Sequence, residues 1–97
     1  MFKMYLTDEA QKQYDALKED KGLAKRHKAV QKTLSLLKEN PRHPGLQTHE
    51  YSRLSQTVGI KIFEAYAEQN TPAAYRVFWY YGPNKQEITV IAITPHP

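Results

Sequence analysis

The spacing of apolar residues changes period twice along the chain. Phe2 to Leu6 alternates weakly and predicts a short first strand. Ala10, Tyr14 and Leu17 then follow the i, i+4, i+7 spacing of one buried helical stripe. Thr7 offers that helix an N-cap oxygen, and Asp8 and Glu9 set negative charge against the macrodipole in its first turn. Asp20-Lys21-Gly22 ends it, with Gly22 suited to a left-handed position past the last turn. A second helix is predicted from Leu23 to Glu39, its stripe formed by Leu23, His27, Val30, Leu34 and Leu37. Asn40-Pro41 stops it, because proline disfavours helical geometry in the residue before it. The two helices form a helical hairpin.

After the irregular Pro41 to Gly45, Leu46 to Tyr51 reads as a short extended piece and Ser52 to Gly59 as loop. Ile60 to Ala67 alternates with apolar groups on both sides, as an interior strand does. Gln69-Asn-Thr-Pro72 is the expected turn into a closing hairpin. Its two strands, Tyr75 to Tyr81 and Ile88 to His96, flank Gly82-Pro83-Asn84-Lys85. Ile88, Val90 and Ala92 alternate there with Thr89, Ile91 and Ile93. The expected order is β-α-α-β-β-β: an α+β fold with a helical hairpin packed on a small, mainly antiparallel sheet. Residues 1–97 form one domain.

Composition narrows the classes. A net charge of +4 implies an acidic partner, either nucleic acid or protein. With no cysteine there is no disulfide frame, thiolate nucleophile or thiolate metal site. His43 and His49 lie six apart with no obvious third ligand, so no metal or other cofactor is expected. No apolar run approaches a membrane span of about 18 residues, and no signal-peptide core follows Met1. The expected location is therefore cytoplasmic.

Three stretches carry a resemblance. Tyr75-Arg-Val-Phe-Trp79, the apolar strand from Ile88 ending at His96, and Phe63-Glu-Ala-Tyr66 are similar to segments of the RelE/ParE toxin superfamily of bacterial toxin–antitoxin pairs. With the order of elements, the resemblance spans nearly the whole chain. It implies a toxin neutralised by a small acidic antitoxin, monomeric alone or part of a hetero-oligomer with it. In the nuclease branch it implies a ribosome-dependent endoribonuclease that cuts mRNA. Arg76 would then contact the scissile phosphate, and His96 would take an acid–base role. Glu64 would correspond to the strand glutamate, catalytic or merely structural. Tyr66 stands where relatives often carry arginine. The gyrase-inhibiting branch shares the fold without such a site, and a silent relative that only binds its antitoxin is a third alternative.

The residues themselves suit RNA cleavage. Attack by a 2′-hydroxyl needs a base, a cation at the phosphate and an acid for the departing 5′ oxygen. The fork of Arg76 fits phosphate, His96 suits either proton transfer, and Glu64 or Tyr66 could be its partner. The plain structural alternative has Arg76 stacking between aromatics or pairing with Glu64. Lys25, Arg26, Lys28 and Lys32 read as a solvated helix face that could also hold RNA phosphates. His49 could reach the site from the loop side, Lys61 is a weaker candidate, and Tyr80 could stack a base. His27 reads as a helix-packing residue.

Overall fold

The computed structural model describes residues 1–69 and 73–95. Five strands form one sheet in the order β1-β5-β4-β3-β2. They are β1 (Lys3–Leu6), β2 (His49–Glu50), β3 (Phe63–Tyr66), β4 (Tyr75–Tyr81) and β5 (Glu87–Pro95). β1 runs parallel to β5, and every other pairing is antiparallel. Helices α1 (Asp8–Glu19) and α2 (Ala24–Glu39) lie between β1 and β2, and a short helix α3 (Ser52–Val58) follows β2. The α+β fold with its helical hairpin on a mostly antiparallel sheet is therefore present; β2 lies within the expected extended piece Leu46–Tyr51, and α3 is an addition. No helix among the described residues is long and apolar enough to cross a membrane.

Both long helices cover the same sheet face. Ala10 and Leu17 of α1 and Val30 and Leu37 of α2 share one core with Ala65, Val77, Trp79, Ile88, Val90 and Ile93. Tyr14 and Leu34 are partly buried against it, so the predicted helical stripes are the ones that pack. His27 lies against Tyr14 with ring centroids 5.0 Å apart, as a helix-packing histidine should. Thr7 caps α1 by accepting from the Ala10 amide at 3.2 Å.

Gly22 does not take the left-handed position expected of it. A 3₁₀ turn over Lys21–Leu23 joins the helices, and its cap is Asp20, whose carboxylate accepts from the Gly22 amide at 2.9 Å. The left-handed cap glycine is Gly59, with φ of 81°, at the end of α3. In β5 simple alternation also fails. Phe78 pairs with Ala92 while Trp79 pairs with Val90, so Ile91 is an extra residue in a bulge. The bulge moves Ile93 onto the same face as Val90 and Ile88, where all three enter the core.

The segment from Ser52 to Gly59, expected as loop, is α3. Its Ser55 hydroxyl accepts from the Ile62 amide at 2.8 Å and lies 3.1 Å from the Tyr51 carbonyl. This short polar helix is fixed by tertiary bonds rather than by propensity. Ile62 is thereby held outside the ladder, and β3 begins only at Phe63, shorter than the Ile60–Ala67 alternation suggests. Ser55→Ala is expected to strand the buried Ile62 amide and cost about 1–3 kcal/mol, read as a lower urea midpoint at an unchanged slope.

Candidate active site

The alternation of β3 and β4 sends a second set of side chains to the face opposite α1 and α2. Arg76 is directly across from Tyr66, Phe78 from Glu64, and His49 of β2 from Glu64. Register thus places His49, Glu64, Tyr66 and Arg76 side by side on one face. α3 borders this face at one end, where Tyr51 meets Phe78 edge-on at 5.3 Å.

Arg76 is 9% exposed, and its guanidinium carbon lies 3.8 Å from the centre of the Tyr66 ring. Its Nη1 donates to the Glu68 carbonyl at 2.6 Å and to its neighbour's, Tyr75, at 3.3 Å. Its Nε is buried with no hydrogen-bond partner among the described residues. Glu64 sits one ladder step along from Arg76, across from Phe78. With no exposure at all, it meets His49: Oε1 lies 2.7 Å from Nε2. The His49 ring keeps 48% of its side-chain surface, and its Nδ1 lies 3.3 Å from the Gln47 carbonyl. Its edge also meets the Tyr66 ring at 5.7 Å. Tyr66 is the common wall, with Arg76 over its ring and His49 at its side.

The basic residues divide. Arg26 is engaged: its Nε donates to the Glu68 carboxylate at 2.9 Å, and its guanidinium lies 4.4 Å from the centre of the Tyr75 ring. Lys25, Lys28 and Lys32 are exposed on α2 at helical spacing, so they form one stripe. Lys32 ends this stripe at a cavity of about 570 Å³ that Tyr66, Ala67 and Gln69 also line. Lys61 and Tyr80 are not gathered with the others. They line a separate cavity of about 600 Å³ at the opposite end of β3 and β4, beside Ile60 and Pro83. His96 lies outside the described residues, as does most of the turn expected over Gln69 to Pro72. Among the described residues no group of three or more histidine or acidic side chains is placed to hold a metal ion.

Glu68 is the organiser that inspection of the sequence passes over. Its carboxylate binds both Arg26 and the Tyr75 amide, and its carbonyl holds Arg76. The available signal was a carboxylate just past one strand and just before the turn that leads to an arginine.

No family model matches this sequence, and no curated protein matches it. Among solved structures, a YoeB/ParE toxin from Agrobacterium tumefaciens superimposes with a TM-score of 0.74, covering 99% of this chain and 100% of that one at 11% identity. The fold is that of a RelE/ParE-type toxin. At that identity the likeness extends to the path of the chain and the order of its elements.

Proposed function

We propose that this chain is the toxin of a toxin–antitoxin pair, and that it cleaves RNA on the sheet face opposite its long helices. The observation that carries the reading is the continuous contact of Arg76, Tyr66, His49 and Glu64 on that face. It gathers a cation for the phosphate and, beside an aromatic wall, an imidazole paired with a carboxylate that can supply the base, two of the groups that 2′-hydroxyl attack requires.

In the proposed reaction the 2′ oxygen bonds to phosphorus and loses its proton to a base. The bond from phosphorus to the 5′ oxygen breaks, and that oxygen takes up a proton. The products are a 2′,3′-cyclic phosphate and a free 5′-hydroxyl. Arg76 stabilises the charge that builds on the phosphate oxygens, since its fork matches them and a covered site strengthens the bonds. The Tyr66 ring lies against the guanidinium and limits its movement. The stripe of Lys25, Lys28 and Lys32 guides the RNA backbone toward the face by salt-sensitive contacts. Message held on a ribosome is the substrate that the toxin fold suggests. A small acidic antitoxin would neutralise the protein by covering its basic surface, in keeping with a net charge of +4.

Expression of the chain alone in a bacterial host should arrest growth and produce transcripts with new 5′-hydroxyl ends, and an acidic partner should reverse the arrest. Arrest with intact transcripts and relaxed DNA would point instead to gyrase inhibition. Unimpaired growth would leave neither toxin reading standing.

A further inference from the structure

The proposed reaction requires a base, and Glu64 does not fit that part. It is fully buried, and a carboxylate without exposure does not meet substrate. His49 is half exposed on the same face and touches both Glu64 and the Tyr66 wall.

We infer that His49 is the general base of this site and that Glu64 is its positioning residue. The inference rests on the RNA-cleavage reading and deepens it. A histidine's working nitrogen is set by the bond that its other nitrogen makes. Here Nε2 lies 2.7 Å from the Glu64 carboxylate, a contact that favours the proton on Nε2 and leaves the Nδ1 lone pair for substrate. Nδ1 has one weak neighbour, the Gln47 carbonyl at 3.3 Å. In the neutral ring with its proton on Nε2 this contact carries no hydrogen bond, and when the ring is charged the carbonyl accepts the Nδ1 proton. The neutral Nδ1 takes the proton of the 2′-hydroxyl as the 2′ oxygen bonds to phosphorus. The bond to the 5′ oxygen breaks, and the departing oxygen takes a proton from water. The imidazolium formed in this step faces the buried Glu64 carboxylate, whose charge is worth more there than in water. A buried carboxylate orienting a half-exposed imidazole is the division of labour by which other hydrolases make a base.

The charged and titratable groups around His49 are few. β3, the strand paired with β2, supplies Glu64 and Tyr66. Arg76 of β4 lies behind Tyr66. Glu50 follows on β2 and, by alternation, on the opposite face, while Arg53 stands on the succeeding helix α3.

The test is the rate at which the purified full-length toxin cuts mRNA on programmed ribosomes, followed across pH for wild type, His49→Ala, Glu64→Gln, the double variant and His96→Ala. Wild type should speed up as pH rises and the base loses its proton. His49→Ala should lose about 10²–10⁴-fold in kcat and with it that pH dependence. Glu64→Gln should lose less and shift the profile, and the double variant should be no slower than His49→Ala. Because it removes both charges, the double variant also guards against misfolding caused by a stranded buried carboxylate. If the double variant cuts within a few-fold of wild type with the same pH profile, the inference is overturned and RNA cleavage stands. The inference is equally overturned if His96→Ala removes the pH dependence while His49→Ala keeps it. A wild-type protein that cuts no RNA overturns the functional reading itself.

Discussion

Arg76→Ala is expected to lower RNA cleavage by about 10²–10³-fold, the loss typical of removing one preorganised charge-stabilising donor. The expectation rests on how the residue is held. Two carbonyls fix Nη1, and a tyrosine ring lies against the guanidinium. A guanidinium held this way gives up little entropy on meeting a phosphate, and its 9% exposure limits competition from water. Arg76→Lys keeps the charge but loses the fork and the flat contact with Tyr66, so most of the activity should still be lost. Single-turnover cleavage of ribosome-bound mRNA would measure both variants. Binding of the antitoxin should survive in each, which separates lost chemistry from lost folding.

Trp79→Ala is expected to cost about 3–5 kcal/mol, the range for truncating a large buried aromatic. A small domain has only about 5–15 kcal/mol in all, so the variant should sit near the edge of stability at room temperature. Trp79 has no exposed surface, stacks on Phe63 at 5.0 Å and meets Tyr81 edge-on at 4.8 Å. It therefore joins the helix-covered core to the edge of the sheet. Trp79→Phe should be far milder than its loss of volume suggests. The indole Nε1 is buried without a hydrogen-bond partner among the described residues, and phenylalanine removes that unsatisfied donor. Urea denaturation followed by far-ultraviolet circular dichroism would give both values.

Much of the fold was legible because periodicity and packing agree in the long elements. The stripes of α1 and α2 and the hairpin of β4 and β5 carry enough apolar residues for pattern alone to place them. Legibility stopped where a single tertiary contact decides the outcome. α3 is rich in serine and threonine and reads as loop, yet the bonds of Ser55 to Tyr51 and Ile62 make it a helix. The bulge at Ile91 turns the end of β5 over, and no local composition signals it. The site was legible to a similar extent. Arg76, Glu64 and Tyr66 stood out as polar groups within apolar or aromatic strands, and they do share a face. Their pairing was not legible, because it depends on register. Register sets Glu64 across from Phe78 and beside His49, while the Arg76 guanidinium hangs on the Glu68 carbonyl. Arg26 shows the opposite error, since charge and helical spacing alone cannot reveal that Glu68 and Tyr75 already occupy it.

The central claim is that this open sheet face cuts RNA. Its most direct test is end-group analysis of a defined mRNA incubated with purified wild-type protein and programmed ribosomes. The account predicts fragments ending in a 2′,3′-cyclic phosphate with matching 5′-hydroxyl ends, absent when Arg76→Ala replaces the wild type. An intact message, together with inhibition of DNA supercoiling by the same preparation, would contradict it.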